Sequence, residues 1–395
     1  MQNTLPKLDR TKIDGTLEID QQAFTAIAED SIKTVDDVVY EIGSNSGDIY
    51  WDSKQKYGEI IVEYSKRNNE MRFRDYGRGM SQDKLLSSFS IWGKFSAEKD
   101  SRGLNSRGAK DCRVLGFIEV HTISDNKYST MWIDEKANWG NEDKGVTVTK
   151  KIRDSLGLKK NGTVVYVKCT DENKPKFPFP RFQDFCERLK YSHQLHGFVN
   201  EKARNKGSKF TMVNVDVEPN NKIVLETKEP ANSEIVFDYK YKVPNYEEYE
   251  ARFILKKTIH QCDNKIIVMS NKIATHEESF LQRSLDEHSY LENYYGYLIC
   301  PGITALAREY RKNRKSDLKR NQFLVLDQNR QEGLVRKHPF TKVLLQEPIS
   351  KLKEVIKKEE AIRSLKEVTI TKELTDKTKE MEKLLAEILK GDEPN

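Results

Sequence analysis

Apolar and polar positions along the chain follow two different spacings. Val35, Val38, Val39 and Ile42 recur every three or four residues, which predicts a helix over 36–51 with one buried face. Residues 59–64 and 70–74 alternate in steps of two instead, the spacing of strands with one face inward, and Arg67-Asn68-Asn69 supplies a polar turn between them. Ser81, ahead of Gln82 and Asp83, is a good helix start for a segment carrying Leu85, Leu86, Phe89 and Trp92. Further strands are expected over 117–124, 128–133, 145–151 and 163–168.

The proline-rich stretch from Lys174 to Pro180 interrupts this pattern, and a helical stretch over 182–198 follows. Strand-like runs return at 223–226 and 266–269. The chain therefore reads as α+β, with a first domain over 1–175 and a linker or helical connection over 176–221. A second α+β domain is expected over 222–345, and helices over 346–395. In that tail Met381, Leu384, Leu385, Ile388 and Leu389 share one helix face, so the face is expected to pack on something, in cis or across a dimer. No internal repeat is visible.

Composition narrows the class. Of 395 residues, 36% are apolar and 33% charged, which suits a soluble chain with a wet surface and leaves no run long enough to span a membrane. The first fifteen residues lack the apolar core of a secretory signal, so the expected location is the cytoplasm. Five scattered cysteines without a C-x-x-C pair read as reduced thiols, and the histidines form no cluster with metal-ligand spacing. A net charge of +6 permits an acidic partner such as nucleic acid without requiring one.

Four short tracts carry candidate chemistry. Glu41 and Asn45 lie one helical turn apart at the edge of the apolar stripe. There a carboxylate could polarise a water for attack on a γ-phosphate, and an amide oxygen could ligate Mg²⁺. The ordinary alternative is the polar rim of an amphipathic helix. Asp75 closes a strand and opens Asp75-Tyr76-Gly77-Arg78-Gly79-Met80, where a carboxylate could accept from an adenine amino group while the glycines let a base lie close. The alternative is a simple Asp-x-Gly turn. Gly103 to Lys110 is a glycine-bearing basic loop suited to phosphate oxygens, or else a solvated surface loop. Asn161-Gly162-Thr163 places a hydroxyl at a strand start.

In this order the four tracts resemble the GHKL ATPase superfamily of gyrase, heat-shock chaperone, histidine kinase and MutL, over about residues 20–170. Asn45-Ser46-Gly47-Asp48 looks like the N-S-x-D continuation of the family's first motif, and Asp75–Met80 looks like its D-x-G-x-G-M. The resemblance implies an α/β sandwich ATPase domain of the Bergerat type. It implies Glu41 as general base, Asn45 as the Mg²⁺ ligand and Asp75 as adenine reader, supported by Thr163, with Gly77, Gly79 and Met80 beside the nucleotide. Lys94, Gly103, Ser106, Arg107, Gly108, Ala109 and Lys110 would belong to a lid around the phosphates. Glutamate at position 41 places the chain nearer the hydrolysing branches than the histidine kinases. Two departures stand out: Ser106 replaces the lid's middle glycine, and Gly43 interrupts the base-bearing helix.

The hydrolysing members also use a second, transducer-like domain that sends a cation to the γ-phosphate. Residues 329–334, N-R-Q-E-G-L, resemble the arginine-bearing loop of the chaperone and bacterial MORC-like branches. Arg330 is the implied sensor, with Lys319 second. The basic run from Arg308 to Arg320 could meet nucleic-acid phosphates, although a solvated helix face explains it as well. The resulting expectation is a slowly hydrolysing ATPase with ATP and Mg²⁺ as ligands, acting as an ATP-dependent homodimer on DNA or an effector protein, including in defence against phage. The alternative is a chaperone-like protein or an ATP-binding interaction scaffold without useful turnover.

Overall fold

The computed structural model describes residues 21–52, 58–91, 107–190, 195, 208–225, 232–259, 265–270, 275–312, 320–327 and 333–391. The chain is mixed α+β and divides into two compact units, Met1–Thr227 and Lys228–Asn395. No helix among the described residues is long and apolar enough to cross a membrane.

The first unit opens with α1 (Gln21–Ser31) and α2 (Val35–Asp52), followed by the hairpin β1 (Gly58–Ser65) and β2 (Glu70–Asp75). Helices α3 (Gln82–Phe89) and α4 (Gly108–Asp111) come next, then β3 (Gly116–Ser124), β4 (Lys127–Asp134), β5 (Trp139–Gly140) and β6 (Lys144–Thr147). Helix α5 (Lys150–Leu156), β7 (Gly162–Cys169), α6 (Phe182–Lys190), β8 (Ser208–Asn214) and β9 (Asn221–Leu225) complete it. Its sheet runs β5-β4-β3-β7-β2-β1-β8-β9, with β6 on β4.

Alternation decides the faces. In β2, Met71, Phe73 and Asp75 turn inward while Glu70, Arg72 and Arg74 are half-buried on the other side. The inward side meets Val35, Val38, Val39 and Ile42 of α2, together with Ala28, Ile32 and Phe185, in the main core. Each such side chain contributes roughly 1.5–3 kcal/mol by leaving water, so Val39→Asp is the kind of change that breaks this layer. Gly43, which weakens α2 by its propensity, has a packing reason. A Cβ there would press on Leu195 and the Phe210 ring, both at 3.0 Å. On the opposite sheet face, Ile123, Tyr128, Leu156, Leu158 and Val164 form a smaller cluster with α5.

Three sequence expectations are corrected here. The strand expected over 145–151 stops at Thr147, because Thr149 caps α5 by accepting the Ile152 N–H through its hydroxyl and Gly157 closes that helix. The connection expected over 176–221 contains β8, which pairs in parallel with β1 and buries Phe210 and Met212. Strand β9, expected to open the second domain, pairs with β8. Pairing with β1 and burial of Phe210, Thr211, Met212 and Val213 join the segment to the first sheet.

The second unit has a sheet of β10 (Glu234–Val243), β11 (Tyr246–Lys257), β12 (Ile266–Met269), β13 (Thr275–Ser279) and β14 (Tyr294–Ile299), in the order β10-β11-β14-β12-β13. Helices α7 (Arg283–Asp286), α8 (Gly302–Lys312) and α9 (Pro339–Gly391) accompany it. The third correction concerns α9, expected from 346. It begins at Pro339, a residue suited to a first helical turn, and continues through Pro348. Phe340, Leu344, Leu345, Leu352, Val355 and Ile356 bury one face of its first half. From Ala361 to Leu385 every described side chain is exposed, including Met381, Leu384 and Leu385 of the expected packing face.

Candidate functional site

Three neighbouring strands set one row of polar side chains under the helices of the first unit. Asp75 on β2 lies directly opposite Thr163 on β7, and Thr163 lies directly opposite Thr122 on β3. Directly paired residues project to the same face of a sheet. All three are buried, with Asp75 at 2% exposure.

The Asp75 carboxylate accepts the Gly77 N–H at 3.0 Å and a further backbone N–H from Thr163. Both bonds favour the ionised form, yet complete burial outweighs them and pushes Asp75 up to about 7. A raised carboxyl on a strand end is the sort of group that marks a ligand site.

The turn after Asp75 is built for close approach. Gly79 has φ +69°, and a Cβ there would overlap the carbonyl oxygen of Ile123. Met80 follows, half-buried against the main core, with its N–H donating to Thr122 Oγ1 at 2.8 Å. Gly162 packs against the backbone of Asp75 and Tyr76, where a Cβ would crowd the Asp75 carbonyl at 2.5 Å.

A second cluster forms where α2 meets α4. Glu41 projects onto the backbone of Gly108, and a Cβ on Gly108 would overlap Oε2 of Glu41. Gly108 thus lets the carboxylate rest on the first turn of α4. Asn45, one turn further along α2, is exposed. Helix α2 also packs across β1 and β2, which places both clusters in one layer of the unit.

Arg107 and Lys110 have structural partners. Arg107 bonds the buried Asp111 carboxylate at 3.3 Å and the Ser31 hydroxyl at 3.1 Å, tying α4 to α1. The Lys110 ammonium donates to the carbonyls of Ser88 and Ile91, both at 2.6 Å, and the residue is 5% exposed. Lys110 was expected to face phosphate, and here it holds the end of α3. Ala109 is half-buried against the main core. Lys94, Gly103 and Ser106 lie outside the described residues, as do Lys319 and Arg330.

The structure therefore brings Asp75, Gly77, Gly79, Met80 and Thr163 together, and separately Glu41 and Gly108. Sequence reasoning missed Thr122 and the Arg107–Asp111–Ser31 link. Thr122 could have been suspected as a polar residue on the inward phase of an otherwise apolar strand, but its partners are 40 residues away in sequence. No group of three or more His, Cys, Asp or Glu side chains able to hold a metal ion occurs among the described residues. The chain matches no protein-family model and no curated protein.

Proposed function

We propose that the chain is a GHKL-type ATPase whose first unit is a Bergerat-type sandwich binding ATP at the Asp75 row and hydrolysing it slowly. The observation that carries this reading is the buried Asp75–Thr163 pair across β2 and β7, flanked by the close-packed backbone at Gly79. An ionised carboxylate with no salt bridge among the described residues is an acceptor for a donor, and an exocyclic purine amino group supplies one.

Glu41 would serve as general base, orienting and deprotonating the attacking water. Its support on Gly108 gives that carboxylate a fixed backing. Asn45, exposed beside it, offers one oxygen to a Mg²⁺ ion. The fit is adequate because magnesium takes most of its shell from phosphates and water and needs few protein ligands. Bound there, the ion would neutralise phosphate charge. Arg330, with Lys319 as second candidate, is proposed as the γ-phosphate sensor of the second unit. The working form is proposed to be an ATP-dependent homodimer that regulates DNA or an effector protein, with defence against phage as one setting, by analogy with bacterial MORC-like and MutL-like ATPases.

A scaffold that binds nucleotide without useful turnover is the second reading. The engagement of Lys110 by two backbone carbonyls favours it, since that charge is already committed. Phosphate release measured with and without duplex DNA separates the two. Light scattering with ADP and with a non-hydrolysable ATP analogue then tests the dimer. Turnover that rises with DNA, and a dimer seen with the analogue alone, support the first reading; ATP binding with no phosphate release supports the second.

A further inference from the structure

Thr122 is fully buried and pairs directly with Thr163 across β3 and β7, on the side away from β2 and Asp75. A threonine hydroxyl has one proton to give and two lone pairs to fill. At Thr122 all three have a destination. One lone pair takes the Met80 N–H at 2.8 Å. The proton goes to the Gly162 carbonyl at 3.3 Å, an atom that can only accept. Either hydroxyl could donate in the remaining contact, to Thr163 Oγ1 at 3.3 Å; with the Thr122 proton on the carbonyl, it runs from Thr163 to Thr122.

This arithmetic fixes what Thr163 can offer a ligand. In that arrangement its proton is used behind it, which leaves its oxygen as an acceptor for a ligand. Asp75, when ionised, is also an acceptor. Two acceptors side by side match the two N–H bonds of an amino group and repel a carbonyl oxygen at the same place.

We propose that Thr122 is a positioning residue that holds Thr163 as an acceptor and thereby makes the purine site select a 6-amino over a 6-oxo base. The proposal rests on the reading of Asp75 and Thr163 as the purine-facing pair. Thr122 itself touches no ligand and acts through Thr163. Without its hydroxyl, the Thr163 proton has no fixed destination and can turn outward to donate to a 6-oxo group.

The test is competitive titration of ATP and inosine triphosphate against the full chain and two variants, each checked for a cooperative melt. The wild type is expected to prefer ATP by about 100-fold, the scale of one hydrogen bond to a charged group. Thr122→Val, which keeps shape but removes the hydroxyl, is expected to narrow that ratio by roughly tenfold, largely by binding inosine triphosphate better. Thr122→Ser restores the hydroxyl and should restore the ratio. If the valine variant does not fold, Thr122→Cys takes its place, since a thiol is a weak donor and acceptor. A wild-type ratio near one, or an unchanged ratio in the variant without the hydroxyl, overturns the role of Thr122 and leaves the purine site standing. Wild-type protein that binds neither nucleotide overturns the purine site and this proposal with it.

Discussion

Asp75 and Thr163 stand directly opposite each other on adjacent antiparallel strands, both buried and projecting to the face covered by α2. No salt bridge reaches Asp75 among the described residues. The carboxyl therefore rests on two backbone N–H groups in a dry setting, and its protonation is poised near neutrality.

That poise gives a linked prediction. A ligand amino group needs the ionised carboxylate, whereas the free protein holds the proton up to about pH 7. ATP affinity should therefore rise as pH is raised through 7 and level off above it, with a proton released on binding at pH 6.5. Calorimetry in two buffers of different ionisation enthalpy would show this, and a buffer-independent heat would contradict it. Asp75→Asn removes the titrating group and replaces an acceptor by an amide. It should weaken ATP binding by about 2 kcal/mol or more, the worth of a hydrogen bond to a charged group. The stability of the free protein carries the opposite slope. The folded chain keeps a proton that the unfolded chain releases above 3.8, so stability should fall from there to about pH 7 and then flatten. Asp75→Asn should abolish that slope.

Glu41 and Gly108 form the second test. In Gly108→Ala the new methyl group takes the space of the Glu41 carboxylate, which must swing aside. Turnover should drop by at least about tenfold, since a misplacement near 1 Å costs on that scale. ATP affinity should stay within a small factor. Glu41→Ala should keep binding, lose turnover and accumulate the dimer, because the base is absent. Normal phosphate release in either variant would remove Glu41 from the mechanism.

Lys110 should prove structural. Lys110→Met keeps the stem and deletes the ammonium, leaving the Ser88 and Ile91 carbonyls without that donor. A loss of roughly 1–3 kcal/mol in unfolding free energy is expected, with ATP affinity measured below the melt nearly unchanged. A large affinity loss at intact stability would instead return Lys110 to the phosphates.

His338, like His276, ties the stability of the second unit to acid pH. Burial lowers this histidine to about 4, and its ring bonds the Asn321 side chain through Nε2 while Nδ1 accepts the Phe340 N–H. An unfolded histidine takes its proton near 6.5. The stability gained is therefore complete above pH 6.5 and lost as pH falls toward 4, on the order of 2–3 kcal/mol over that window. Urea titrations of the wild type and His338→Asn should diverge in slope between those pH values and run parallel above 7.

Much of the local structure was legible because its causes are local. The stripe of Val35, Val38, Val39 and Ile42 makes α2 amphipathic wherever it is placed, and the alternation in 59–64 and 70–74 makes strands of any segment with one dry side. Thr149 and Gly157 are equally local signals for α5, but the strand expected over 145–151 ran across them. The assignment of 208–214 to the first sheet was not legible, because a parallel strand's partner lies far away in sequence.

At the site the sequence determined which residue types were available: a carboxylate ahead of two glycines, a glutamate and an asparagine one turn apart, and a Gly-Thr pair opening a strand. The tertiary structure decided their partners. Strand register set Asp75 against Thr163 and Thr163 against Thr122, and packing of α2 on α4 put Glu41 on Gly108 and committed Lys110 to the end of α3. Composition and periodicity fix which face of an element is dry, but contacts across strands and between helices depend on register and packing, which are properties of the assembled core.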